Sequence, residues 1–163
     1  MANNYFASID WNREHQAFID NRYSRSHTWT FDGGLQVPAS SSPTMVPLPY
    51  SNAFNIDPEE ALVAAVASSH MLWFLSLALR RGLCVDSYSD QACGFMAKNN
   101  LGQWAINRIH LRPKALFSGE NQPGIAEIML IHQTASKQCF IANSIKAEIN
   151  CEPLIFSEVS STY

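Results

Sequence analysis

The residues best equipped for chemistry in this 163-residue chain are few and far apart. Ser68, Ser69 and His70 interrupt the middle of a long apolar run, and Cys139 stands 70 residues beyond Ser69, at the head of the segment CFIANSIKAEI, where it is expected just before the last strand. A serine beside a histidine suggests acyl transfer. Adjacent helical residues, however, point about 100° apart, so Ser69 and His70 cannot form the hydroxyl–imidazole pair that hydrolysis requires. His70 reads as a buried, hydrogen-bonded core histidine. Cys84, Cys93 and Cys151 fall in strand or turn contexts and read as small core residues. All four cysteines are expected as free thiols of a reducing compartment. Their spacings match no zinc pattern, so neither a metal nor another cofactor is expected.

Charged candidates lie upstream. Arg22 and Arg25 sit in NRYSRSHTW, ahead of a short strand-like run, and Glu59 belongs to DPEE at the head of the apolar segment. Each has an ordinary reading beside a chemical one. Surface arginines are common, and a glutamate in a first helical turn often serves only the macrodipole.

The apolar segment is a capped helix. Asp57 is a good N-cap, Pro58 suits the first helical position, and Glu60 completes a capping box. Arg80 and Arg81 suit the negative end, and Gly82 supplies a left-handed stop. Positions 61–79 are apolar except for Ser68, Ser69, His70 and Ser76, which predicts burial nearly all round. The length also satisfies a membrane crossing. Three polar residues at the centre and a strand-rich remainder argue for a core helix instead.

Strands are predicted for residues 5–11, 28–31, 85–96 and 104–117, with turns at 32–34 and 99–102. Residues 38–56, rich in proline and serine, predict a long ordered loop. In 104–117, Ile109, Leu111, Ala115 and Phe117 share one face, and Pro113 predicts an edge or a bulge. A second helix is expected over 123–136, with Ile125, Ile128, Met129 and His132 at helical spacing. A final strand is expected where Ile145, Ala147, Ile149 and Cys151 alternate with polar residues. The pattern is a single α+β domain over residues 1–163, with antiparallel sheet. A net charge of −3 gives no reason to expect nucleic acid or an anionic membrane as partner. MANNYFASIDWNREH has neither a basic nor an apolar leader region, and a cytoplasmic protein is expected.

The order of elements and the two segments around Ser69 and Cys139 resemble the OsmC family of organic hydroperoxide resistance proteins over essentially the whole chain. In that family a helix announced by Asn/Asp-Pro-Glu-Glu carries a reactive cysteine ten residues after the first glutamate; ten from Glu59 falls on Ser69. The family's second cysteine, in a Cys-Pro-Val-Ser-like segment, precedes Lys-Ala-Glu-Ile by seven residues. Cys139 precedes Lys146-Ala147-Glu148-Ile149 at that offset, with Phe140-Ile141-Ala142-Asn143 in place of Pro-Val-Ser.

The resemblance implies antiparallel sheets packed on two helices, one long, central and apolar, in an intertwined homodimer. It implies a thiol-dependent hydroperoxide reductase site. The peroxidatic cysteine attacks the O–O bond, becomes a sulfenic acid and is resolved by the second cysteine. Ser69 then holds the peroxidatic position and Cys139 the resolving one. Arg22, or else Arg25, and Glu59 are the implied cation and acid. Because Glu59 stands about 15 Å up one helix from Ser69, an arginine or another subunit must bridge them. A serine hydroxyl stays un-ionised near neutrality and has no sulfenate chemistry, so the resemblance implies an impaired or inactive peroxidase. The other implied reading is a non-enzymatic member binding a small hydrophobic ligand in the dimer-interface pocket.

Overall fold

A computed structural model describes residues 3–155. The chain forms two compact units that meet in sequence at Ala61 and Leu62.

The first unit holds a three-stranded antiparallel sheet, β1 (Ala7–Asp10), β2 (His27–Phe31) and β3 (Gln36–Ala39), with β2 in the middle. Ile9 faces Trp29, and Trp29 faces Val37. β3 lies partly in the stretch predicted as loop. Pro38 is tolerated there because β3 is an edge strand. The rest of that loop is ordered by backbone bonds between Ser40 and Ile56 and between Ile56 and Pro38. The Asn52 N–H donates to Ser40 Oγ as well.

Helix α1 (Pro58–Arg80) starts and stops where its residues dictate. Glu60 N–H donates to Asp57 Oδ1 at 2.7 Å, and Asp57 N–H donates back to Glu60 Oε2 at 3.3 Å, a closed capping box. Gly82 adopts φ +70°, and Leu83 N–H reaches the Ala78 carbonyl to finish the last turn.

In the second unit, each of the two long predicted strands is divided. The first becomes β4 (Cys84–Asp90) and β5 (Cys93–Lys98); the second becomes β6 (Trp104–Leu111) and β7 (Pro113–Ser118). β4 pairs with β7, and β5 with β6, both antiparallel. The break has two causes, one of them distant in sequence. Pro113 has no N–H to donate, and Asp90 Oδ1 takes the Arg112 N–H at 2.7 Å, so the ladder is interrupted on both sides. Two further elements follow, α2 (Ile125–Gln138) and the single turn α3 (Phe140–Asn143). The last strand, β8 (Glu148–Cys151), pairs parallel with β6, which corrects the all-antiparallel expectation. The helical connection returns the chain to the same end of the sheet, and a strand that follows such a crossover runs parallel.

The buried stripe of α1 runs Val66, His70, Phe74, Leu77. Around its C-terminal half, Phe74, Leu77, Ala78 and Leu83 pack with Ile131 and Ala135 of α2 under Val85, Tyr88 and Phe117. Around Val66, the partners are Ile109 and Leu111 of β6 with Ile149 of β8. The register of α2 is turned from the predicted one. Ile131, His132 and Ala135 face inward, while Ile125 is largely exposed. Contact between α1 and β5 is close: a Cβ on Gly94 would lie 2.6 Å from Val63 Cγ2. The all-round burial predicted for α1 is not met within one chain. Leu72 and Leu79 are 60% and 74% exposed.

Candidate functional site

Ser69 is carried on the middle turn of α1, half-buried, one residue past the exposed Ser68. Cys139 is buried at the junction of α2 and α3, not beside the last strand as predicted. The sequence FIAN closes a helical turn, with the Asn143 N–H bonded to the Cys139 carbonyl, and Cys139 becomes its cap. This fold of the chain brings the two residues together. Cys139 Sγ lies 3.2 Å from Ser69 Oγ, and the thiol can donate to that hydroxyl or, at 4.0 Å, to the Val66 carbonyl. The Ala142 N–H points at the sulfur from 3.4 Å. A sulfur held this way, in contact with one hydroxyl and one N–H, could form a disulfide with a cysteine at position 69. With oxygen there, no such bond exists.

The other predicted residues belong to the first unit. Glu59 lies half-buried in the first turn of α1, and Glu60, not Glu59, closes the capping box. Arg22 is exposed, its backbone N–H bonded to Asp20 Oδ1. Arg25 is the better anchored arginine. Its guanidinium donates to the Asn21 side chain and the Tyr23 carbonyl, and lies 3.8 Å over the Tyr23 ring.

His70 is buried and hydrogen-bonded, with no bond to its neighbour Ser69. Its Nε2 lies 3.0 Å from His132 Nδ1, and its Nδ1 lies 3.5 Å from Ser136 Oγ. The two imidazole planes are within 6° of one another, and Phe74 stacks on His132. Cys151 closes the group, its Sγ 3.6 Å from His70 Nε2 and 3.9 Å from His132 Nδ1. Burial holds His70 down at about 4, and burial with the charge of His70 holds His132 at about 3. Burial, then the charges of Asp90 and Glu152, push the Cys151 thiol up to about 12. The three groups are therefore neutral on their own near pH 7. They are the donors, among the described residues, that could converge on a metal ion. A groove of about 360 Å³ opens beside them, lined by Met129, His132, Ser136, Lys137, Cys151 and Pro153.

Sequence reasoning missed this trio. Each member sits on a different element, α1, α2 or β8, so no short spacing announces it. Cys84 and Cys93, predicted as core residues, are exposed, since both lie on the outward side of their strands.

Comparison with known proteins fits the geometry. The OsmC-like protein family matches residues 51–153. The chain belongs to that family. An OsmC-like protein of unknown function from Vibrio cholerae is 44% identical, covers 94% of this chain and 100% of its own, and superposes with a TM-score of 0.92. An OsmC-like protein from Mycoplasma pneumoniae, 18% identical over 94% of this chain and 98% of its own, gives 0.71. An organic hydroperoxide resistance protein from Elizabethkingia anophelis, 12% identical over 94% and 95%, gives 0.68. The last two likenesses speak for the OsmC-like fold alone. A comparison with curated proteins returned no match. In this fold α1, apolar and long enough to cross a bilayer, is the core helix.

Proposed function

We propose that this OsmC-like protein descends from the thiol-dependent organic hydroperoxide reductases and no longer completes their two-cysteine cycle. The observation that carries the reading is the 3.2 Å contact between Cys139 Sγ and Ser69 Oγ. The contact supports reading Cys139 as the resolving thiol and Ser69 as the attacking position, which here offers oxygen. Without a partner, Cys139 oxidised by peroxide would pass from sulfenic to sulfinic acid and not cycle. In this reading the protein is cytoplasmic and homodimeric, and Arg22 and Glu59 keep the roles that the family resemblance gives them.

The test is dithiol-coupled consumption of cumene hydroperoxide or tert-butyl hydroperoxide by the protein and by Ser69→Cys. The native chain is expected to show little or no turnover. Ser69→Cys is expected to create it. Its thiolate takes one peroxide oxygen and releases the alcohol; Cys139 then displaces water to form the disulfide, which the dithiol reduces. In that background Arg22→Ala and Glu59→Gln should each lower the rate at least tenfold. Robust turnover by the native chain would show that another group is the nucleophile. A folded but inert Ser69→Cys would favour the other implied activity, binding of a small hydrophobic ligand.

A further inference from the structure

We infer that His70, His132 and Cys151 form a site for one borderline-soft divalent metal ion of the zinc type, with its fourth position open to the groove beside them. The proposal is separate from the reading of Ser69 and stands whether or not the protein handles peroxides.

Geometry carries it. For bonds of about 2.0–2.1 Å to nitrogen and about 2.3 Å to sulfur, the edges of a tetrahedron come to about 3.3 Å between nitrogens and about 3.6 Å between nitrogen and sulfur. The observed edges are 3.0 Å for His70 Nε2 to His132 Nδ1, and 3.6 and 3.9 Å from these nitrogens to Cys151 Sγ. The ligand atoms lie within about 0.3 Å of those edges, and an ion would part the two nitrogens slightly. Two imidazoles and a thiol are also a trigonal copper set; its nitrogen edge of about 3.5 Å is further from the 3.0 Å found, while its nitrogen–sulfur edge of about 3.8 Å fits equally well.

The surroundings are of the kind that metal ligands need. His70 Nδ1 faces Ser136 Oγ at 3.5 Å; an N–H donated there fixes the tautomer and leaves the Nε2 lone pair free for an ion. Phe74 stacks on His132 at 4.3 Å between centroids and restrains its ring. An ion bound by two neutral imidazoles and one thiolate keeps one positive charge, and the structure holds a counterweight nearby. Asp90 Oδ2 and Tyr88 Oη are buried with no hydrogen-bond partner among the described residues. Asp90 is the charge that acts on Cys151, whereas burial keeps the Tyr88 hydroxyl neutral. A hydrogen-bonded histidine pair explains the 3.0 Å contact by itself, but not a thiol set 3.6 and 3.9 Å from its two nitrogens.

The remaining coordination position faces the groove lined by Met129, Ser136 and Lys137. Three protein ligands with one position open to water is the arrangement of zinc ions that activate a ligand, in contrast to closed structural sites. On binding, the Cys151 S–H bond breaks and its proton passes to solvent, while His132 gives up its Nδ1 proton and takes one at Nε2 so that the ring stays neutral; the sulfur and nitrogen pairs go to the ion, with no change of oxidation state.

The test uses full-length protein, reduced and stripped with chelator, titrated with cobalt(II) and then with zinc(II). One cobalt per chain is expected, with the visible bands of tetrahedral coordination and a near-ultraviolet thiolate-to-cobalt charge-transfer band, all erased by one equivalent of zinc. Cys151→Ser should abolish the charge-transfer band, while Cys84→Ser/Cys93→Ser, which removes the exposed thiols, should keep it. Failure of the folded native protein to bind near one equivalent would overturn the site, as would a charge-transfer band that survives Cys151→Ser. Should Cys151→Ser not fold, zinc-edge X-ray absorption on the native protein decides. One sulfur at about 2.3 Å with two imidazole nitrogens supports the assignment, and a shell with no sulfur or with two removes it.

Discussion

A histidine on the buried stripe of α1, between Val66 and Phe74, occupies a place where leucine would ordinarily sit. His70 and His132 are each almost fully buried and share one hydrogen bond, so neither has room for a second charge. Their folded-state values of about 4 and about 3 lie below the ordinary histidine value. The sign follows from linkage. Unfolded chain takes up protons that the folded protein resists, so the full contribution is present above about pH 6.5 and is lost as the pH falls toward the folded values. Metal-free protein should therefore lose about 1.4 kcal/mol per pH unit for each histidine titrating below about pH 6.5. Urea unfolding measured in chelator at about pH 7, 6 and 5 checks this. His70→Leu/His132→Leu should flatten the dependence in that window, and an unchanged slope would place the titration elsewhere.

The elements were legible where a residue acts on its own backbone. Asp57, Glu60 and Gly82 define the ends of α1 through bonds to their immediate neighbours, and the helix begins and ends where they predict. Where a distant residue intervenes, local pattern failed. The alternation of β6 and β7 runs on past Arg112, but Asp90, 22 residues away, captures its N–H and divides the strand. Cys139 was expected ahead of a strand because nothing in FIAN announces a single helical turn. Gly94 reports the same kind of tertiary constraint. Its missing side chain lets β5 approach α1, and a methyl group would stand 2.6 Å from Val63 Cγ2. Gly94→Ala should cost about 1–3 kcal/mol by overpacking. Val63→Ala in the same chain should recover part of that loss. A double-mutant cycle by thermal melting measures the coupling, and strictly additive losses would place the strain at another contact.

At the scale of the molecule, two sequence segments sufficed for the family, because each carries a motif of fixed spacing: Glu59 to Ser69, and Cys139 to Lys146. The family resemblance pairs Ser69 with Cys139, and the fold sets Cys139 Sγ 3.2 Å from Ser69 Oγ. The histidine–cysteine trio was not legible, since it exists only once α1, α2 and β8 are assembled. One feature of the assembled unit supports the proposed homodimer. On the face of α1 away from the core, Ala65, Ser68, Leu72 and Leu79 recur at intervals of three, four and seven residues and are exposed. This is the spacing of a helix–helix seam. Burying a leucine side chain is worth about 1.5–3 kcal/mol, so Leu72 and Leu79 alone favour cover by several kcal/mol on each chain. The small residues Ala65 and Ser68 would let a second helix come close. A second copy of α1 satisfies both requirements at once, since a two-fold axis across the seam sets like residues against like. Light scattering at micromolar concentration should return the mass of two chains. Leu72→Glu/Leu79→Glu places two carboxylates from each chain in that seam, and should shift the protein to monomer or leave it unfolded at low concentration. A single-chain mass for the native protein, or an unperturbed dimer in the double variant, would show that α1 is not the interface.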